Sequence, residues 1–287
     1  MSDLSGQDRF EQRQEELAKA RRTQSILFSV VFVLLFAVSC EVGEASLPVF
    51  IEGLPNLASY FSDLTPMIRM NHIGEDVAEW YWGIGKWLKL LWDTILMAFL
   101  GTFLGTIMAF LLCFPASANL MPLKPVYFIT RRITEFARAV PELVYAMIFV
   151  FSFGIGPFPG ILAIAIHTAG ALGKLFSEVN ENLDDKAIEG VRASGGNWFE
   201  VIRFAVVPQV LPNFTSYTLL RFEINVRAAS VIGFVGAGGI GQELMFVIRQ
   251  FVYTDISAIV LMIILTVIAI DLTCESLRHR LIGKEAL

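Results

Sequence analysis

Apolar and polar positions along the chain fall into long charge-free runs separated by charged stretches. No Asp, Glu, Lys or Arg occurs over the 18 residues Thr23–Cys40, the 30 residues Thr94–Leu123 or the 31 residues Leu143–Gly173. A helix needs ~20 mostly apolar residues to cross a bilayer. The third run is too long for one helix, and Gly154, Gly156, Pro157, Pro159 and Gly160 break it near its middle. It therefore predicts a hairpin of two spans, the first reaching back to about Arg132. Ile256–Ile270 is shorter, with Asp255 and Asp271 read as interfacial ends. One more span, about Asn213–Phe234, is predicted despite the charge it carries. The pattern thus predicts six spans, at about 25–41, 88–114, 132–153, 158–176, 213–234 and 255–274.

An even number of spans puts both termini on one side, and Lys and Arg decide which. Sixteen of the 22 fall on one face: in the N-terminal tail, around Lys124–Arg138, in the loop between the fourth and fifth spans, and in the C-terminal tail. The other face has Arg69, Lys86, Lys89 and Arg249, while Arg221 and Arg227 lie inside the fifth span. Both termini are therefore expected in the cytoplasm. The expected organisation is a cytoplasmic tail (1–24), a peripheral first transmembrane helix (25–41), an extracytoplasmic segment (42–87), a transmembrane domain (88–275) and a cytoplasmic tail (276–287). Ser39-Cys40-Glu41-Val42-Gly43 is a poor signal-peptidase site behind a long polar lead, so the first run reads as an anchor. Trp80, Tyr81, Trp82 and Trp87 fit an interfacial aromatic belt, with a substrate cage as the sharper alternative.

Composition agrees. The chain is 55% apolar and only 17% charged, against about 25% charged in an ordinary soluble domain. This excludes a disordered chain, a coiled coil and a disulfide-stapled module. The net charge of −5 gives no reason to expect nucleic acid. Cys40, Cys113 and Cys274 are far apart and read as small hydrophobes. No Cys/His cluster suggests a metal, and His167 reads as a packing residue.

Two phosphate-loop look-alikes fail. Gly236-Ala237-Gly238-Gly239-Ile240-Gly241 has the G-x-G-x-x-G spacing, but a membrane span precedes it where a dinucleotide site needs a strand. Gly236, Gly238, Gly239 and Gly241 read instead as a narrow gate or a close-packing site near the outer mouth. Gly173-Lys174 lacks the earlier glycine of a nucleotide loop, because position 168 is Thr, and Leu175 replaces the Mg²⁺-binding hydroxyl. No cofactor is expected on this chain, so ATP and Mg²⁺ would belong to a partner.

The loop over 177–212 carries the sharpest signal. Residues 184–194 can form a short helix with acids at its start, stopped by Gly195-Gly196. A second amphipathic helix follows, and Pro208 and Pro212 mark re-entry to the membrane. Glu189-Gly190-Val191, then Gly195 after three residues, then Ala205-Val206-Val207-Pro208 after nine more resemble the E-A-A coupling loop of ABC-importer permeases. Other small or apolar residues stand at the two alanines and at I-x-L. The resemblance implies that Glu189, Gly190, Arg192, Ala193, Gly195 and Pro208 form the ATPase-coupling site.

A longer resemblance spans about 88–275. Arg138-Ala139-Val140-Pro141-Glu142-Leu143, Gly154-Ile155-Gly156-Pro157, His167-Thr168, Gly173-Lys174, Pro208–Asn213, Arg221–Ala229 and Val235–Gly241 are similar to the phosphonate/phosphite importer permease family. That resemblance implies an all-α integral membrane protein with the type I ABC-importer permease bundle, in the bacterial inner membrane. It also implies its partners: a second copy forming a homodimer, two cytoplasmic ABC ATPase subunits, and an extracytoplasmic phosphonate- or phosphite-binding protein. No catalytic residues are expected.

Arg221, Glu223, Asn225 and Arg227 stand in the fifth span, where charge is costly and often marks a pathway. Glu223 and Arg227 are spaced i,i+4 and can pair. Two readings stand open. One is structural ion pairing, with the second arginine held by another helix or a partner copy. The other is a weak polar surface, led by Arg227, for a small phosphorus oxyanion. The alternatives in function are a permease for methionine or another small anion or amino acid, and a membrane enzyme acting on a lipid or phosphoanhydride.

Overall fold

A computed structural model describes residues 6–69 and 71–282. Residues 1–5 of the N-terminal tail and Lys284 of the C-terminal tail lie outside them. Every regular element among the described residues is helical. The chain divides after Asp63 into two units. The first contains α1 (Gly6–Val42) and most of α2 (Leu47–Leu64). Within α1, Glu16–Val42 is long and apolar enough to cross a bilayer.

The second unit begins with α3 (Ile73–Trp80) and α4 (Ile84–Cys113). Next come α5 (Lys124–Ala139), α6 (Glu142–Phe153) and α7 (Pro157–Glu181). After α8 (Asp185–Ala193) and α9 (Trp198–Glu200), a π-turn at Val201–Val206 leads into α10 (Val207–Ile232). A 3₁₀ turn at Gly233–Val235, α11 (Gly239–Arg249) and α12 (Tyr253–Ile282) complete the unit. Four helices meet the length and apolarity of a span. Six traverses result when each of two bent pairs counts as one.

Helix α7 is the axis of the second unit. It packs on α4 where Gly101 and Gly105 remove side chains from the contact: a Cβ on either would lie 2.7 Å from α7 atoms. This is the small-xxx-small spacing by which membrane helices approach closely. On another side α5 and α6 climb along α7. Arg131 meets Glu181 at 2.9 Å, Thr134 packs at Gly173, and the backbone of Ala137 and Arg138 packs at Gly170. In the 80–87 segment Trp80, Tyr81 and Trp87 pack into the fold, while Trp82 is exposed. Trp80 Nε1 donates to Thr254 O and Ser257 Oγ at 3.1 Å, Trp82 Nε1 donates to Asp255, and Trp87 is buried.

Four expectations change. The span at 132–153 is not one rod: α5 begins at Lys124, and α5 and α6 meet at 86°. Pro141 offers no N–H and forces Val140 into an extended conformation, with φ −80° and ψ 124°. Pro212 does not start the fifth traverse but lies inside α10, while Pro208 sits in its first turn, where a missing N–H costs nothing. The last helix is longer than the run Ile256–Ile270, since α12 continues past Asp271 to Ile282. Residues 42–87, expected as one extracytoplasmic segment, contain the helices α2 and α3, and α11 appears where no helix was expected.

Candidate functional site

The loop that leaves α7 folds as its sequence dictates. Asp184 caps α8 by accepting from the Lys186 N–H at 3.1 Å, and Asp185 and Arg192 sit at the ends that the helix dipole favours. The helix ends in a Schellman motif: Gly196 N–H reaches Val191 O and Gly195 N–H reaches Arg192 O, both at 3.0 Å. Gly195 has φ +85°, a left-handed backbone that a glycine adopts without strain. Asn197 then starts α9 through a reciprocal capping box with Glu200.

One buried side chain, Ile188, fixes α8 to the bundle among Leu120, Phe176 and Val206. Trp198 Nε1 adds a hydrogen bond to Leu120 O at 3.0 Å. Glu189, Gly190, Arg192, Ala193 and Gly195 are exposed. Glu189 makes no hydrogen bond or ion pair among the described residues. A methyl added at Gly190 would meet nothing within 4 Å. Beside them lies a concavity of about 540 Å³ lined by Gly190, Ser194, Gly195, Glu200 and Phe204. Phe199 and Phe204 are exposed there. The result is a short helix, footed in the bundle and presenting an unpaired carboxylate outward, with Phe199 and Phe204 exposed on the segment that follows it. Pro208 lies apart from this face, at the start of α10.

The polar residues of α10 separate into two groups. Arg227 donates to Asp271 of α12 at 3.0 and 3.2 Å and to Glu223 at 3.3 Å. Glu223 also accepts from Arg278 at 3.3 Å. Asp271, Arg227, Glu223 and Arg278 therefore form one chain of alternating charge between α10 and α12. Asn225 is fully buried and donates to Thr102 of α4 at 2.8 Å and Thr168 of α7 at 2.9 Å. Arg221, one turn before Asn225, faces the same way and away from that chain of charge. Its Nε reaches Thr168 Oγ1 at 3.5 Å, and its nearest carboxylate is Glu142 of α6 at 3.7 Å.

Thr168 lies near the centre of α7 (Pro157–Glu181), so Arg221 and the Pro141 break both face the middle of that helix. His167 bridges that break, its Nδ1–H donating to Val140 O at 3.1 Å. Glu142 was not among the candidates from sequence, because its contact with Arg221 is long-range. The proline beside it was the available signal. At the other end of α10, Gly236, Gly238 and Gly239 have left-handed backbones, and Gly156 N–H donates to Gly236 O at 3.0 Å. A Cβ on Gly241 would collide with Ser230 O. These glycines join the α6–α7 hairpin to the end of α10 and cap α11, and Thr94 Oγ1 accepts from the Ile240 N–H at 2.9 Å.

Residues 101–282 match the family described as the inner membrane component of binding-protein-dependent transport systems. The chain belongs to that family. This permease is 34% identical over 243 residues to the phosphite transport system permease protein PtxC of Stutzerimonas stutzeri, across 85% of this chain and 84% of the other. It is 40% identical over 190 residues to the phosphate-import permease protein PhnE of Mycolicibacterium smegmatis, across 66% of this chain and 36% of that one. The inward-facing MetNI methionine ABC transporter has the same fold, with a TM-score of 0.59 at 17% identity over 68% of this chain and 95% of that one. At that identity the likeness concerns fold alone.

Proposed function

We propose that this permease carries a small phosphorus oxyanion of the phosphite, phosphonate or phosphate type into the cytoplasm, driven by ATP hydrolysis in a separate subunit. The observation that carries the reading is the 34% identity to a phosphite permease across 85% of the chain. Two copies would enclose the pathway, with an extracytoplasmic binding protein delivering the anion and two ATPases below. Mg²⁺ and ATP would sit on the ATPases alone. The excess of Lys and Arg on one face supports cytoplasmic termini.

The coupling step follows from α8. A helix transmits motion only if its ends are tied to elements that move, and α8 is tied to α7 by a short turn and, through its Schellman motif, α9 and the π-turn, to α10. Glu189 and the neighbouring apolar concavity are the groups an ATPase surface would engage. In the pathway, Arg221 is the oxyanion contact, and the Arg227 chain maintains the α10–α12 packing. ATP-driven phosphite uptake in proteoliposomes containing the permease, ATPase and binding protein tests the reading. Glu189→Lys is expected to abolish uptake while the assembled permease remains folded. Full uptake in that variant would refute the coupling role, and wild-type hydrolysis without uptake of phosphite, phosphonate or phosphate would refute the substrate class.

A further inference from the structure

The Arg221 site is incompletely partnered. A guanidinium offers five N–H donors, and Arg221 uses one among the described residues, in a long contact to Thr168 at 3.5 Å. Its side chain is only 14% exposed. Glu142, at 3.7 Å, is beyond the roughly 2.7–2.9 Å of a charge-assisted hydrogen bond. The Glu142 oxygen that faces it is buried and accepts no hydrogen bond among the described residues. Half-buried charges left this loosely paired are costly. One turn along α6, the Tyr145 hydroxyl is also buried without a partner. Glu142 begins the 12-residue helix α6 directly after the Pro141 break, so the first N–H groups of α6 open at the same depth.

We propose that Arg221 and the first turn of α6 form a mid-membrane station for a tetrahedral oxyanion, in which Glu142 is a built-in counter-ion displaced by the passing anion. This rests on the oxyanion reading above. The chemistry resolves the conflict between capture and release. A bare arginine in a low-dielectric pathway would hold a phosphorus oxyanion through a bidentate pair and release it slowly. A carboxylate 3.7 Å away competes for the same guanidinium, lowers its affinity, and returns when the anion leaves. The long, hydrogen-bond-free contact keeps that exchange easy. The break at Pro141 separates Glu142 from the helical ladder of α5, so its shift need not move α5.

Phosphite binding to the permease–ATPase complex in nanodiscs, without binding protein, tests the station directly. Glu142→Gln removes the competing charge at equal volume and is expected to bind phosphite about tenfold more tightly than wild type. Arg221→Gln and the double variant are expected to bind none. Equal affinity in Glu142→Gln and wild type would overturn the proposal, as would a double variant that keeps the gain. If Glu142→Gln fails to assemble, Glu142→Asp withdraws the carboxylate by one methylene and is expected to tighten binding by a smaller factor. Unchanged affinity there also overturns it. Wild-type phosphite uptake with binding protein is measured in parallel. Absence of uptake beside a preserved Glu142→Gln gain contradicts the substrate reading alone.

Discussion

Arg221 and Arg227 lie on one helix, six residues or ~9 Å apart along its axis, and they occupy opposite chemical situations. Arg227 makes three hydrogen bonds to two carboxylates and is the more exposed, at 44%. Arg221 is the more buried and has one long contact to a hydroxyl and one loose ion pair. A buried charge normally acquires the better partners. The inversion separates an arginine whose hydrogen-bonding capacity is used within the fold from one whose capacity is free for a ligand. Position agrees: the Arg227 chain clasps α10 to α12, while Arg221 faces a broken helix.

The largest effect should come from removing the free arginine. Arg221→Gln is expected to lower phosphite uptake by at least about 100-fold, in line with loss of a charged contact in a dry site, with little change in thermal stability. Glu223→Ala should affect stability. It leaves Arg227 and Arg278 without their shared carboxylate, and a loss of roughly 2–3 kcal/mol is expected, below the fully buried case because Arg227 is partly exposed. Thermal unfolding of the purified permease reads that shift, and an unchanged midpoint would remove the clasp from the account. Asn225→Ala loses two hydrogen bonds at the α4–α7–α10 junction and is expected to cost about 1–3 kcal/mol by the same measurement.

The smallest effect lies in α3. Asp76 accepts from the Arg69 backbone N–H at 2.7 Å and pairs with its guanidinium at 2.7 Å. The Arg69 side chain and N–H hold the Asp76 carboxyl below its usual range. Its contribution is therefore fully present above the unfolded carboxyl pKa of about 3.9 and lost as pH falls through the lower folded value. The hydrogen-exchange protection factors of α3, corrected for intrinsic exchange at each pH, are expected to stay flat from pH 8 to pH 5 and to fall only below about pH 4. A fall near pH 6 would contradict the assignment.

The parts of this structure visible in sequence are those set by local rules. α8 was legible because its cap, its length and its terminal glycines all lie within about a dozen residues. The Glu223–Arg227 pair was legible because it is one helical turn. The α5–α6 break was partly legible. Pro141 was in view, but the length a bilayer demands carried the expected span back from Leu143 to about Arg132, straight through the proline. α11 escaped because it has only 11 residues and carries Glu243 and Arg249, too short and too charged to score as a span. Asp271 and Glu142 were hidden for a different reason. Their partners are 44 and 79 positions away, and only the packing of α10 against α12 and α6 brings them together.

The most direct test of the account is ATP-driven phosphite uptake in proteoliposomes with Arg221→Gln and Arg227→Gln compared per folded complex. Arg221→Gln is expected to lose uptake, while Arg227→Gln keeps it within about threefold and instead lowers the unfolding temperature. Uptake preserved in Arg221→Gln and lost in Arg227→Gln, at equal stability, would contradict it.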